Sequence, residues 1–504
     1  MKNPANRGFL AGAIDRRRFL GYAAGAGLAA SALSTRPAAA AQNTEMGLDT
    51  SNWTLDTINS IAGTLEVDTA AECAKLVPLN HSGQLTYWYV GPNQASPEID
   101  RTIDAQFWAA FAKTYPNIKI TVQNLGYNDM LNKVRTAALG NSAPMVARFP
   151  IMWGVEFAAK GQLHEFKPED VGFSVNEFWP GALKSCMWQG KTYGLPTNNE
   201  TVGLLWNAGI FKEAGLDPET PPATWDDLVA FSKQIKQKTG KYGYGLVARV
   251  NGGDTPFRFM PQAWVYGGGA LDEADAHPTY KKITIDNAGT KAALQLSYDM
   301  YVRDQSTPRS GLTSIQSDND NPFISGQLAM MGSHPQEYAV MLDRARTAIG
   351  SDKAVAEAVV ANMRYGNLPR GPVRSAAVFG GSNVHVFDPT YVDGKFDIDS
   401  VRAFVAFMTG PEWSTKLAWD TSNPGNLRGF CTSWMKERLQ TLKFLAESTT
   451  MLPFGVPFPV VPESSEIMNI IVPTMMQNAL TGRMTVAAAT AAAADQIRQA
   501  MPDL

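Results

Sequence analysis

Two periods of hydrophobicity alternate along the chain. Leu85-Thr86-Tyr87-Trp88-Tyr89-Val90 is a short apolar and aromatic run suited to a buried strand, and Gly91-Pro92-Asn93 closes it as a turn. Phe107, Trp108, Phe111 and Ala112 then recur at helical spacing and stop before Pro116. Ile118-Lys119-Ile120-Thr121-Val122 alternates as a second strand, and Met130 to Leu139 predicts a helix ended at Gly140. Strands and helices taking turns in this way predict α/β architecture with parallel strands. Further on, Thr224 opens a helix whose free amides its hydroxyl can cap, with Asp227 three residues later as a short-chain variant of the capping box. Leu228, Phe231 and Ile235 form its apolar face, Lys236 and Lys238 sit at the negative end of its dipole, and Gly240 ends it. Val401, Phe404, Val405 and Met408 mark another amphipathic helix, and the alanine-rich run 487–494 reads as a terminal one. Residues 42 to about 80 precede this regular pattern as an extension, in which Trp53, Leu55, Ile58 and Ile61 hint at a helical stripe.

The first 41 residues read differently. Asp15-Arg16-Arg17-Arg18-Phe19-Leu20 leads into an apolar run from Gly21 to Leu33, and Ala38-Ala39-Ala40-Ala41 follows Pro37. A charged start, a short apolar stretch and small residues before a cut describe a signal peptide. The adjacent arginines before Phe-Leu resemble the twin-arginine export motif, although Asp15 and Gly21 depart from it. The apolar run is too short for a helix that spans a bilayer, and no later segment has 18 apolar residues free of charge. The mature chain is therefore expected in the periplasm, not inserted in the membrane, and monomeric.

Composition narrows the chemistry. Forty-four basic residues against 47 acidic ones leave a formal charge of −3, which excludes a large basic footprint for nucleic acid. Three cysteines, Cys73, Cys186 and Cys431, cannot build a disulfide scaffold and are expected to be buried and unpaired. Only five histidines occur, no two at metal-ligand spacing, and no HExxH, Walker A loop or nucleophile elbow appears. Asp318-Asn319-Asp320-Asn321 lacks the glycine and closing glutamate of a calcium loop and reads as a solvated loop. No cofactor, metal or catalytic group is expected. The conspicuous feature is aromatic content: 12 Trp, 15 Tyr and 23 Phe, side chains whose faces suit flat or amphipathic ligands such as the C–H face of a pyranose.

One long stretch carries a resemblance. Tyr193-Gly194-Leu195-Pro196-Thr197-Asn198-Asn199-Glu200-Thr201-Val202-Gly203-Leu204-Leu205-Trp206-Asn207 is followed by Gly215-Leu216 and then by Pro222-Ala223-Thr224-Trp225-Asp226-Asp227-Leu228. This resembles family 1 of the bacterial extracellular solute-binding proteins, the maltose-binding-protein-like group that serves ABC importers. Phe323 to Gly332, Gly380 to Val386, Phe404 to Trp413 and Leu480-Thr481-Gly482 resemble later segments of the same family in the same order. The resemblance spans about residues 82–502. It implies a two-lobe periplasmic-binding-protein fold (type II-like) with a hinge and a ligand cleft between the lobes. Crossings are expected near Pro196, Gly381 and Pro424. Lobe 1 is then 82–196 plus 381–424, lobe 2 is 197–380 plus 425–504, and 42–81 is an N-terminal extension. The implied function is capture of a sugar or related polyhydroxylated solute and its delivery to an ABC permease and its ATPase. An exported carbohydrate-active enzyme and a receptor for a chemotaxis or sensor partner are the alternatives.

Glu200 is the first candidate contact, four residues after Pro196, where the maltose-binding protein has a sugar-contacting glutamate; Asn198 and Asn199 flank it with donors and acceptors. Trp88, Asn93, Tyr127 and Trp153 lie at or just beyond predicted strand ends, where α/β folds place ligands. Arg148 falls where relatives have cleft residues, although Pro144-Met145 replaces their Pro-Asp. Trp264 resembles a family helix that lines the cleft. Ser333 and His334 stand where many relatives have Gly-x-Trp, so Phe454 and Phe458 are the candidates for the stacking aromatic. Gly381, Ser382 and Asn383 offer backbone and amide groups. Arg148, Arg249 and Arg258 are the arginines available to an anionic sugar, against the ordinary expectation that lone arginines are surface groups.

Overall fold

The computed structural model describes residue 50 and residues 53–92, 98–273, 275, 278–418 and 422–504. The candidate signal peptide and Asn93 lie outside them. Ten strands build the two main sheets: β1 (Gly83–Tyr89), β2 (Ile118–Asn124), β3 (Val146–Pro150), β4 (Gly194–Glu200), β5 (Gly203–Asn207), β6 (Tyr242–Gly245), β7 (Leu328–Ser333), β8 (Met363–Gly366), β9 (Gly380–Val386) and β10 (Asn423–Pro424). The first sheet runs β10-β4-β9-β3-β1-β2 and the second β8-β5-β7-β6.

Both sheets are mixed, which corrects the expectation of parallel strands. β1 is parallel to β2 and β3, but β9 is antiparallel to β3 and β4. In the second sheet only β6 and β7 run parallel. The physical reason is the route of the chain. It leaves the first sheet through β4, builds the second, and comes back as β9 from the opposite direction. β4 stays paired with β9 through Glu200, so the chain passes to the second sheet four residues beyond Pro196. Only Thr201 and Val202 separate β4 from β5.

Local signals behave as their chemistry dictates. The helix Trp225–Thr239 is closed by a reciprocal box: Thr224 Oγ1 accepts from the Asp227 amide at 3.1 Å, and the Thr224 amide donates to Asp227 Oδ2 at 3.0 Å. Gly240 ends it at φ 74°, a left-handed conformation that favours glycine. Gly381, at φ 105°, is needed for a second reason: a β-carbon there would lie 2.2 Å from the Asn198 carbonyl oxygen, so the β4–β9 crossing closes only on a glycine. All three cysteines are free, with Cys73 and Cys186 buried and Cys431 partly exposed.

The extension is part of the fold. Leu55–Ile61 and Thr69–Leu76 are helices, and Trp53 and Ile58 are buried while Leu55 is exposed, so the expected stripe is only half used. Trp53 and Ile58 share an apolar cluster with Ile151, Trp179, Phe379, Phe430 and Leu445. The Leu65 amide donates to the Cys431 carbonyl at 2.8 Å, which ties the extension to the segment after β10.

Candidate functional site

The residues that end β4 form a polar knot where the chain leaves the first sheet. Arg148, near the end of β3, is 7% exposed. Its Nε donates to Thr197 Oγ1 at 3.0 Å and its Nη2 to Asn198 Oδ1 at 2.8 Å. Thr197 Oγ1 donates to the Ser382 carbonyl at 2.8 Å, joining β4 to β9. Asn198 Nδ2 donates to Ser422 Oγ at 3.0 Å and to Glu200 Oε1 at 3.3 Å. Glu200 thus sits half-buried at the tip of β4. Burial pushes its carboxyl up from the ordinary range, while the Arg148 charge, the Asn198 amide and the Arg258 charge pull the other way.

Opposite it lies an aromatic pair that the sequence reading divided. A β-carbon on Gly380 would be 2.9 Å from the Phe257 ring and 3.3 Å from Glu200 Cβ, so the ring and the glutamate meet over this glycine. The Phe257 and Phe458 rings stand edge to face, with centroids 5.0 Å apart, and Trp264 lies 6.2 Å beyond Phe458. Phe257 was not singled out from the sequence. Its signal was there: an aromatic in the first turn of a helix, just after Gly252-Gly253-Asp254 and two turns ahead of Trp264.

His334 sits at the end of β7. Its Nδ1 lies 3.1 Å from the Thr201 carbonyl, which can only accept, so Nδ1 carries the proton. Burial and the nearby Arg258 charge push its pKa down to about 4, so the ring is neutral and Nε2 is left as an acceptor. Behind it Ser333 is fully buried, and its Oγ donates to Glu337 at 2.9 Å.

The other candidates scatter. Trp88 lies on β1, turned away from the buried Tyr87 and Tyr89, with Lys133 Nζ 5.5 Å from its ring centre. Tyr127 opens the helix Tyr127–Leu139, and its side chain lies outside what is described. Trp153 is buried ahead of the helix Gly154–Ala159. Trp264 is buried in the core, and its Nε1 donates to Glu273 at 3.1 Å. Asn199 and Asn383 are fully buried, and their amides are spent on the Pro424 carbonyl at 2.9 Å and on Ser185 Oγ at 2.8 Å. Phe454 is half-buried at the end of a short turn. Arg148 and Arg258 are buried, against the expectation of surface arginines, while Arg249 is exposed.

Residues 318–321 are neither a loop nor simply solvated, which corrects that expectation: they span the turn Gln316–Asn319 and the start of the helix Asp320–Ile324. Asp320 is buried and pairs with Arg344 at 2.9 Å, and Asn319 is buried with it. Asp320 and Glu337 face each other, and each has one buried carboxyl oxygen without another partner, the arrangement of two carboxyls sharing a proton. Burial and the neighbouring Glu337 push the Asp320 carboxyl from 3.8 to about 7, and burial pushes Glu337 up as well. A raised folded-state pKa stabilises the fold at low pH and loses that contribution as pH rises. The contribution of Asp320 is therefore full below about pH 3.8 and gone above about pH 7. The urea midpoint is expected to be higher at pH 5 than at pH 8, with the difference reduced in Glu337→Gln, whose amide can donate permanently to Asp320.

The profile for the bacterial extracellular solute-binding proteins matches residues 94–415. The chain belongs to this family. Among solved structures it is similar to the GacH receptor of Streptomyces glaucescens GLA.O, with TM-score 0.64 and 23% identity, covering 83% of this chain and 98% of that one. The sugar-binding protein MalE of Xanthomonas citri gives TM-score 0.66 and 20% identity, covering 82% of this chain and 96% of that one. These likenesses show a two-lobe binding-protein fold. Among curated relatives, the sn-glycerol-3-phosphate-binding periplasmic protein UgpB of Pectobacterium atrosepticum is 25% identical over 197 residues, 37% of this chain and 43% of that one. Among the described residues no helix is long and apolar enough to cross a membrane.

Proposed function

We propose that this chain is the periplasmic receptor of an ABC importer. It captures a sugar or related polyhydroxylated solute between two lobes and delivers it to a membrane permease whose partner ATPase drives import, with no bond broken on the receptor itself. The observation that carries this reading is the meeting of Glu200 and Phe257 over Gly380, with Phe458 edge to face against Phe257, beside the crossing between the sheets. A carboxylate binds hydroxyls, and aromatic faces cover the apolar side of a pyranose. The names of similar proteins agree: the GacH structures include a complex with acarbose, the MalE of Xanthomonas citri is called sugar-binding, and UgpB is named for sn-glycerol 3-phosphate. The first lobe is best drawn as 82–200 plus 380–424, and the second begins at Gly203. The arginine pair and apolar run ahead of residue 42 support export by the twin-arginine route.

A solute held by groups on both lobes favours the closed state, because only differential affinity shifts a conformational balance. Moving that balance from 1:99 to 99:1 takes about 5.5 kcal/mol. A micromolar site supplies about 8 kcal/mol in total, which is sufficient. A thermal-shift screen over a sugar library tests the reading, since a ligand at 100 times its Kd adds about 2.7 kcal/mol to the native state. At least one member should raise the melting temperature. Glu200→Ala should weaken that ligand at least tenfold by calorimetry, and a library without a single hit would end the sugar reading.

A further inference from the structure

Arg258 is 6% exposed and sits in the helix Thr255–Val265, one residue after Phe257. Its Nη1 donates to Asp254 Oδ1 at 2.9 Å and its Nε to the Gly332 carbonyl at 3.4 Å. Its Nη2 is buried and has no acceptor among the described residues. A second buried donor without an acceptor, Thr201 Oγ1, lies in the β4–β5 crossing. Arg258 and the crossing meet at Gly332: a β-carbon there would lie 3.3 Å from Arg258 Cγ and 3.4 Å from Val202 Cγ1. His334 joins them, bonded to the Thr201 carbonyl and within the field of the Arg258 charge.

An unbonded buried N–H carries a desolvation cost, and a charged one more than a neutral one. Asp254 answers only one side of the guanidinium and is itself partly exposed. A buried guanidinium edge without an acceptor is a donor in search of acceptor oxygens. Burial raises the Glu200 carboxyl, and the Arg258 charge acts against that rise.

We propose that the captured solute carries an anionic oxygen group, a carboxylate or a phosphate ester, whose oxygens take the free edge of Arg258, so that Arg258 selects acidic over neutral solutes. This rests on the solute-capture reading above and adds the charge of the solute to it. A bidentate guanidinium contact suits either group, and a lysine cannot reproduce its geometry.

Calorimetry on matched pairs tests it: glucose against glucose 6-phosphate, galactose against galacturonate, and glycerol against glycerol 3-phosphate, on the wild type, Arg258→Gln and Arg258→Lys. In at least one pair the acidic member should bind at least tenfold tighter, and the pair that responds tells phosphate from carboxylate. That preference should vanish in Arg258→Gln and shrink in Arg258→Lys. Inorganic phosphate should raise the melting temperature of the wild type over chloride at matched ionic strength, and not that of Arg258→Gln. Equal or tighter binding of every neutral member, or an acidic preference that survives both substitutions, overturns the inference. If neutral sugars bind and acidic ones do not, only this inference fails. If neither these six nor any library sugar binds, the sugar-capture reading fails with it. Should Arg258→Gln not fold, the wild-type pairs and Arg258→Lys still decide.

Discussion

Arg148→Met should destabilise the fold by about 3 kcal/mol and abolish high-affinity capture together, because one guanidinium serves both. The substitution keeps the length of the stem and removes the donors. Thr197 Oγ1 then loses the Nε–H and Asn198 Oδ1 loses the Nη2–H, both in buried surroundings. Each stranded acceptor costs about 1–3 kcal/mol. The damage does not stop at β3. Thr197 also holds the Ser382 carbonyl of β9, and Asn198 holds Ser422 and Glu200, so three further segments lose a shared anchor. Glu200 loses the main positive charge that favours its ionised form, and its carboxyl should rise further. Urea unfolding of the ligand-free protein reads the first effect, and titration with the best library hit reads the second. A variant that keeps its urea midpoint within experimental error would show that the knot at the β4 tip does not hold the crossing together.

Much of this frame was legible because the signals are local. The Thr224–Asp227 box, Gly240 and the strands near residues 85 and 118 depend on neighbours a few positions away, and short-range chemistry settles them. Strand direction was not legible. β9 pairs with β3 and β4 across separations of 180 residues or more, and nothing in the segment Gly380–Val386 says from which side it returns. The site divides in the same way. Glu200 stands out through its position after Pro196, and the fold brings Phe257 close to it at the crossing. Arg148 and Arg258 look alike in sequence to any surface arginine, and only the tertiary fold buries them. Trp264 carried a strong local cue, yet its indole N–H is consumed by Glu273, nine residues on. Phe257, which a helix start exposes to the crossing, is the aromatic beside Glu200 instead.

Trp53→Ala should cost about 3–5 kcal/mol, as large as a core substitution in either sheet, although Trp53 lies in the extension that precedes the family match at residue 94. The ring is 4% exposed, with its centroid 5.0 Å from Trp179 and 4.8 Å from Phe430, both edge to face. Phe430 belongs to the segment after β10, and Trp179 precedes the helix Pro180–Lys184 that packs near β4. One indole therefore clamps two pieces of chain that the main sheets do not join. Polar contacts repeat the clamp: Arg428 is paired with Glu72 at 2.5 Å, and Tyr115 Oη donates to the Val77 carbonyl at 3.1 Å. Removing the indole leaves a cavity between those pieces, whereas Trp53→Phe keeps part of the contact and should cost about 1 kcal/mol. Hydrogen exchange should then show early opening of residues 53–77 and 427–449, with β1, β3 and β9 still protected. Opening confined to 53–77 would mean that the extension rests on the fold without holding the segment after β10, and an unchanged midpoint would remove it from the stability of the protein altogether.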